Sequence, residues 1–341
     1  MLFISSDDEE FRGLSRTKEE TTVPPYPVEG RRPMIPDVVQ KPSEVKDMKI
    51  MITGNKGQLG SDSETVLGTD HEILAIDLDE LDITNLSDVQ RIVKDYSPHV
   101  ILNCAAYTLV DNCETEKELA WNVNVIGPKN LALSVGKCGG RLIHISTDYV
   151  FDGRKKIPQP YVEEDAPNPI NYYGITKNEG EKAVRHILDQ HMIVRTSWLY
   201  GFTGHNFLKT MLKLALKNPD KEIRVVDDQY GSPTWSYRLA QQIERLVGMD
   251  GQGTFHATSE GHCTWYELAE CFLEKMGVPH TMVPCSTEEY PTPAARPKNS
   301  ILENRHLKDK KMNIMRHWRD DLDRFVSNFR ERLIDEALSG V

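Results

Sequence analysis

A tyrosine and a lysine four residues apart, Tyr173 and Lys177, have types and a spacing that suit proton transfer. Residues 173–188 are rich in helix-forming side chains, so both would project from one helix face. A free phenol, with a pKa of about 10, is a poor acid or base at neutral pH. An ammonium about 5 Å away would favour the phenolate by roughly 3 kcal/mol. The pair therefore predicts general acid–base catalysis, with an exposed helical pair without function as the alternative.

Two hydroxyl residues, Ser146 and Thr147, follow a run that is typical of a buried strand, residues 143–145. The carboxyl ends of the strands are where open α/β sheets bind ligands. A hydroxyl group at this edge can form a hydrogen bond with a substrate carbonyl. Together with the tyrosine and lysine, this pattern is much more specific than either motif alone.

A glycine-rich loop follows the first predicted strand, residues 48–53. Its G-x-x-G-x-x-G spacing lets the backbone approach a pyrophosphate, and the amino end of the next helix supplies free N–H donors. Glycine turns are common, so the loop alone is a weak signal. The residues expected to contact a dinucleotide are Gly54, Lys56, Gly57, Gln58 and Leu59.

A second predicted strand, residues 71–77, ends in Asp77, 17 residues after Gly60. A carboxylate in this position accepts hydrogen bonds from the adenosine ribose and repels a 2′-phosphate. No arginine follows nearby, which favours NADH over NADPH. The alternative is that Asp77 is a turn or cap residue.

Two later segments predict further cofactor contacts. Asp82 and Ile83 could flank the adenine, although Asp82 could equally be a turn or N-cap residue. The third strand, residues 100–103, leads into Ala105, Ala106 and Tyr107. Small side chains there allow close contact with the central part of the cofactor.

Strands alternate with helices along the chain, including a long predicted helix over residues 116–137. This order predicts an α/β fold, a Rossmann-type doubly wound parallel sheet. We expect residues 48–197 to form the NAD(P)-binding domain. Residues 198–341 should mainly build a smaller carboxyl-terminal α/β substrate domain, with some segments returning to the sheet. Residues 1–47, with six prolines among mixed charges, predict a poorly ordered extension.

Composition excludes several classes of protein. The net charge of −11, without a basic stripe, argues against nucleic acid as a partner. No apolar run reaches the roughly 18 residues that a membrane span needs. The six cysteines show no C-x-x-C pair, and the first ten residues are too acidic for an ordinary signal peptide. We therefore expect a cytoplasmic protein with reduced thiols.

Seven ordered motifs between residues 48 and 326 resemble the extended short-chain dehydrogenase/reductases, and among them the dTDP-4-dehydrorhamnose reductases. Residues 1–47 have no counterpart in this pattern. The motifs that carry the resemblance are residues 54–60, 103–111, 146–153, 173–177, 195–201, 226–234 and 295–300.

The resemblance implies NAD(P)H-dependent reduction of a 4-keto sugar nucleotide. Tyr173 would be the general acid, and Lys177 would lower its pKa and hold the nicotinamide ribose. Thr147 would form a hydrogen bond with the 4-keto oxygen, while Asp148 and Tyr149 would line the sugar pocket.

Further substrate contacts are implied, and three of the four residues have an alternative. Trp198 would form an aromatic wall or pack in the core, and Asn206 would touch the substrate or cap a helix. Arg296 and Asn299 would contact the nucleotide and its phosphates, with a structural arginine as the alternative. Some relatives bind magnesium between subunits, but no ligand can be assigned in this chain. Related reductases are often homodimers.

Other functions share this pattern. Nucleotide-sugar dehydratases carry a glutamate after the Thr-Asp pair, where this chain has Tyr149, so dehydration is disfavoured. Epimerases share the tyrosine and lysine and are harder to exclude. Outside enzymes, the regulatory β subunit of methionine adenosyltransferase resembles a reductase, carries an amino-terminal extension and acts by binding a partner.

Overall fold

The computed structural model describes residues 47–249 and 251–339. The predicted poorly ordered extension therefore lies outside the described residues, apart from Asp47. In the described part of the chain, every helix is too short or too polar to span a bilayer.

The described residues form strands and helices that alternate along the chain. The strands are β1 Lys49–Thr53, β2 Glu72–Ile76, β3 Val100–Asn103, β4 Arg141–Thr147, β5 His191–Thr196, β6 Leu199–Tyr200, β7 Glu222–Val226, β8 Tyr230–Gly231, β9 Thr234–Trp235, β10 Gly253–His256, β11 Cys263–Thr264 and β12 Thr281–Cys285. The α-helices are α1 Gln58–Leu67, α2 Leu86–Tyr96, α3 Lys117–Trp121, α4 Gly127–Lys137, α5 Tyr172–Ile187, α6 Phe207–Lys217, α7 Ser236–Val247, α8 Trp265–Met276, α9 Arg305–Asp309 and α10 Trp318–Ser339.

The main sheet has six strands in the order β10-β5-β4-β3-β1-β2, and every neighbouring pair is parallel. The predicted Rossmann-type fold is confirmed. Strand order reverses between β1 and β3, which leaves a crevice at their carboxyl ends where such sheets bind ligands. The glycine loop follows β1, so it lies at this crevice.

Helices cover both faces of the sheet because each central strand is apolar on both sides. Ile50 and Ile52 pack with α1 and α7, whereas Met51 between them packs with α2 and α4. All three side chains are fully buried. The buried strands thereby hold the loops at their carboxyl ends in fixed positions.

A second core lies in the carboxyl-terminal part and is built from α6, α8, α10, β7 and β12. Helix α10 is amphipathic, and its buried face includes Trp318 and Phe325. Helix α7 instead packs on the six-stranded sheet, and β10 is an edge strand of that sheet, paired with β5. The proposed division near residue 197 stays a prediction, with these two elements on the sheet side.

The long helix predicted over residues 116–137 is interrupted. It consists of α3, a π-helical turn Asn122–Ile126 and α4. The wider turn carries the buried Asn124. Its side-chain amide accepts a hydrogen bond from the Tyr107 N–H and donates to the Tyr107 carbonyl and the Thr176 hydroxyl. A π-turn often marks a functional region, and here it connects the loop after β3 to helix α5.

The close packing of the glycine loop predicts that Gly60→Ala destabilises the protein. A Cβ at Gly60 would lie 2.1 Å from the Gly54 carbonyl oxygen, and backbone would have to move. We expect a loss of about 1–3 kcal/mol in the free energy of unfolding, measured by urea denaturation. Gly57→Ala is the control, because a Cβ at Gly57 would lie 3.3 Å from the nearest atom, the Gly54 carbonyl oxygen. Equal losses in the two variants would contradict this packing.

Candidate active site

Helix α5 begins where the catalytic pair was predicted. The Asn171 side chain caps it by accepting from the Gly174 N–H at 2.8 Å, and also donates to the Ala295 carbonyl at 2.7 Å. Gly174 lies so close to Tyr149 that a Cβ would be 2.1 Å from the Tyr149 carbonyl oxygen. The helix start is thus fixed against both the loop after β4 and the carboxyl-terminal segment.

Tyr173 is buried in a small cluster with Val110, Cys113, Tyr149 and Ala294. Its ring meets Tyr149 edge-on, with centroids 5.7 Å apart. Burial raises the pKa of the Tyr173 phenol above its ordinary value, and interaction with the Thr147 hydroxyl only partly opposes this. This pKa is therefore raised, not lowered as expected, and burial is the largest cause. A phenol in this state remains protonated at neutral pH.

Lys177 is 2 % exposed and donates to the Ile145 carbonyl at 2.8 Å. Burial lowers the pKa of its ammonium to about 8, although the carboxylate of Glu181 acts to raise it. The thiol of Cys104, after β3, also faces this ammonium. Lys177 therefore lies near the carboxyl ends of β3 and β4.

The hydroxyls of Ser146 and Thr147 have different partners. Ser146 donates to Glu181 at 2.6 Å within a buried network, so it is not available to a substrate carbonyl. Thr147 donates to Asp148 at 2.9 Å and interacts with Tyr173. Burial raises the pKa of the Asp148 carboxyl to about 7. Thr147, Asp148, Tyr149 and Tyr173 are thus brought together as predicted.

The glycine loop has the form that a pyrophosphate site requires. Gly54 adopts φ +73°, and a Cβ there would lie 2.7 Å from the Ala105 nitrogen, so only glycine fits. The N-cap of α1 is Gly57, which has no side chain to satisfy the first N–H groups of the helix. These donors can therefore bind an anion at Gln58 and Leu59.

Asp77 lies at the end of β2 beside this loop, as predicted. Its carboxylate accepts from the backbone N–H of Lys56 and of Leu78, at 2.9 and 2.8 Å. The ammonium of the exposed Lys56 pairs with Asp79 at 2.8 Å. Asp77 therefore stabilises the glycine loop, independently of any hydrogen bond to a ribose.

The other predicted cofactor residues follow β2 and β3 in the chain. Ala105, Ala106 and Tyr107 are half-buried, and the Tyr107 hydroxyl donates to Glu116 at 2.5 Å. Asp82 accepts from the Thr84 N–H at 2.9 Å, which is the predicted turn role. Ile83 is buried against Gly127 in the core, rather than on an open surface.

Trp198 and Asn206 both make the internal contacts given as their alternatives. Trp198 is half-buried, has φ +47°, and stacks on Trp265 with centroids 3.6 Å apart. Asn206 caps α6 by accepting from Lys209 N–H at 3.1 Å, and also donates to Gln58 at 3.0 Å. Asn206 therefore connects the second core to the glycine loop.

Arg296 forms a bidentate ion pair with Asp111, with N···O distances of 2.6 and 2.7 Å. Its side chain is 2 % exposed, and the guanidinium also interacts with Tyr149. Asn299 is fully buried and donates to the carbonyls of Lys155 and Gln159. Arg296 thereby joins the 295–300 segment to the site, which is the structural alternative given for it. Asn299 joins the same segment to the loop before α5.

The Asp111–Arg296 pair predicts that Asp111→Asn destabilises the protein. The change leaves a buried guanidinium without its counter-charge, which costs about 2–4 kcal/mol for a carboxylate that is partly exposed. Asp88→Asn is the control, because Asp88 pairs with Arg91 on the surface, where pairs contribute about 0–1 kcal/mol. Chemical denaturation of both variants measures the difference, and similar losses would show that the buried pair is unimportant.

Two residues of the site had no role in the sequence-based prediction. Glu181 is fully buried and accepts from Ser146, Arg185 and Arg195. Its position four residues after Lys177 on a helix was the available signal. Asp111 lies in a motif used for the resemblance, but its partner is 185 residues away.

Known proteins are similar to this one over most of the chain. The sequence model of the RmlD substrate binding domain family matches residues 48–331. A dTDP-4-dehydrorhamnose reductase of Burkholderia thailandensis is 37% identical over 80% of this chain and 96% of that protein. The chain belongs to the dTDP-4-dehydrorhamnose reductase family. It is thus assigned to a family of oxidoreductases, and the predicted resemblance is confirmed.

Solved structures of this family have the same fold. The dTDP-4-dehydrorhamnose reductase of Clostridium acetobutylicum aligns with a TM-score of 0.79 and 43% identity, covering 82% of this chain and 99% of that one. The enzyme of Bacillus anthracis, solved in complex with NADP, aligns with a TM-score of 0.80 and 41% identity over the same shares. None of these findings supports magnesium.

Proposed function

We propose that the protein reduces the 4-keto group of a dTDP-4-keto-6-deoxy sugar with NAD(P)H, converting dTDP-4-dehydro-L-rhamnose to dTDP-L-rhamnose. The observation that carries this proposal is the buried group of Thr147, Tyr173 and Lys177 at the carboxyl end of β4, in the same sheet as the strand β1 that leads into the glycine loop. Membership of the family supports the same substrate class.

Each side chain has a defined role in the proposed reaction. The bound dihydronicotinamide supplies a hydride to the 4-keto carbon. Negative charge then develops on the sugar oxygen, where fixed donors stabilise it more than they stabilise the neutral ketone. Tyr173 would donate to this oxygen and transfer its proton to it, and Thr147 would donate once its hydroxyl turns from Asp148 to the substrate. Lys177 would stabilise the phenolate that remains.

The residues around the crevice fit a dinucleotide. We propose that the uncapped amino end of α1 binds the pyrophosphate, and that Ala105 and Ala106 face its central part. Both Asp77 oxygens accept backbone N–H groups, so its carboxylate gives weaker discrimination against a 2′-phosphate than the sequence suggested. The NADP complex of the Bacillus anthracis relative also favours NADPH alongside NADH.

The substrate pocket would be lined by Asp148, Tyr149 and Trp198. We propose that Arg296 and Asn299 shape this pocket by holding the 295–300 segment, rather than by binding phosphate with free side chains. Their internal hydrogen bonds support this role. We also propose that the protein is cytoplasmic and forms a homodimer. The six cysteines, all free thiols, are consistent with a reducing compartment.

An absorbance assay at the nicotinamide band tests the proposal, using a panel of 4-keto-6-deoxy sugar nucleotides with NADH and NADPH. We expect oxidation of either cofactor with the dTDP-linked 4-keto rhamnose precursor. Epimerisation without net cofactor oxidation would favour the epimerase alternative. No turnover of any member of the panel, with stoichiometric binding to a methionine adenosyltransferase, would favour the regulatory-subunit alternative.

A further inference from the structure

Three side chains outside the active site converge where the loop before α5 meets the start of α9. They are Glu163, Glu164 and His306, and each offers a ligand atom within 4.8 Å of the other two. Among the described residues, this is the one group of acidic, histidine or cysteine side chains that meets this distance limit. An imidazole nitrogen with two carboxylate oxygens is a donor set that suits divalent transition-metal ions.

Glu163 is buried in a way that leaves part of its charge unmatched. It is 8 % exposed, and its Oε1 accepts from the backbone N–H groups of His256 and His306, at 3.0 and 3.1 Å. Its Oε2 is also buried and makes no hydrogen bond to any other described residue. Burying a carboxylate oxygen without a partner is costly, and a cation at this point would remove the cost.

His306 is already oriented as a metal ligand. Its Nδ1 lies 2.7 Å from the Thr254 carbonyl oxygen, and its Nε2 lies 3.0 Å from Glu164 Oε1. Histidine ligands usually donate one ring N–H to a carbonyl or carboxylate, which directs the other nitrogen at the metal. The Glu164 side chain is 52 % exposed and its other oxygen lies 3.7 Å from Arg305, so an ion could enter from solvent and keep water ligands.

We propose that Glu163, Glu164 and His306 form a binding site for a divalent transition-metal ion such as Zn²⁺. The ion replaces the contact between Glu164 and His306 and neutralises the buried carboxylate of Glu163. It connects the loop before the predicted catalytic helix to α9 and, through the His256 N–H, to β10. The site is independent of the reductase reaction and does not require the proposed function to be correct.

Titration of the full-length protein with ZnCl₂ tests this site, by calorimetry and by the thermal unfolding midpoint. The variants are Glu164→Gln and His306→Gln, which leave the buried Glu163 in place so that the fold is kept. All proteins carry Cys138→Ser, because Cys138 is an exposed thiol that could bind zinc. The matched control is His280→Gln, since the His280 Nδ1 also faces a carbonyl, at 2.8 Å.

We expect one Zn²⁺ per chain and a higher unfolding midpoint in the Cys138→Ser protein and in the His280→Gln control. Both site variants should bind at least about tenfold more weakly and lose the rise in midpoint. Absence of saturable binding would overturn the proposal. Equal binding in the site variants and the control would overturn it as well, because the ion would then be bound elsewhere.

Discussion

Tyr173→Phe should lower kcat/KM for reduction of the 4-keto sugar nucleotide by roughly 10²–10⁴-fold, the usual contribution of a positioned general acid. The phenol is buried beside Thr147, and burial raises its pKa, so at neutral pH it holds the proton that the sugar oxygen needs. Removing only the hydroxyl keeps the ring packed against Tyr149. Dinucleotide binding, measured by fluorescence titration, should be almost unchanged.

The control for this variant is Tyr172→Phe, one residue earlier on the same helix. Tyr172 is half-buried, and its ring lies under the ammonium of Lys117. We expect its kcat/KM to remain within a few-fold of the wild type. If the two variants lost activity equally, the Tyr173 hydroxyl would have no special role in proton transfer.

Lys177→Met should change activity and stability in opposite directions. Loss of the ammonium removes a charge that would stabilise the phenolate, so we expect kcat/KM to fall by roughly 10²–10³-fold. Burial lowers the pKa of Lys177 to about 8 from its ordinary 10.5, so keeping the charge costs stability at neutral pH. The free energy of unfolding at pH 7 should therefore rise, by up to about 2 kcal/mol once the loss of the hydrogen bond to the Ile145 carbonyl is subtracted.

The lowered pKa of Lys177 also predicts how stability and kcat/KM change with pH. Below pH 8 the folded protein carries the ammonium and its full cost, whereas between pH 8 and 10.5 the unfolded chain binds the extra proton. This group therefore makes stability increase with pH across that window, while wild-type kcat/KM should decrease above about pH 8. Lys177→Met should lack that decrease. Lys182→Met, at an exposed site that pairs with Glu179, should retain it.

The fold could be predicted because its signals are local. Apolar runs, a glycine loop and helix-forming segments in a fixed order specify a parallel sheet with helices on both faces. The crevice at the carboxyl ends follows from that order alone. The main departure, the π-turn around Asn124, depends on contacts with Tyr107 and Thr176 that no local pattern records.

The side-chain partners could not be predicted because they come from distant parts of the chain. The arginine expected to meet a phosphate is bound to Asp111, and the hydroxyl of Ser146 is bound to Glu181. The expected low pKa of Tyr173 depended on charge alone, whereas burial has the larger effect. Burial and long-range pairing are properties of the folded chain, so the sequence located the site better than it described its chemistry.

The central claim is that the nicotinamide cofactor bound in this crevice transfers a hydride to carbon 4 of the sugar, while Tyr173 protonates the oxygen. Incubation of the wild-type protein with dTDP-4-dehydro-L-rhamnose and nicotinamide cofactor deuterated at the reactive carbon, followed by NMR of the product, tests it directly. We predict one deuterium at C4 of dTDP-L-rhamnose and almost none with Tyr173→Phe. Recovery of undeuterated starting sugar from a protein that binds both ligands would contradict it.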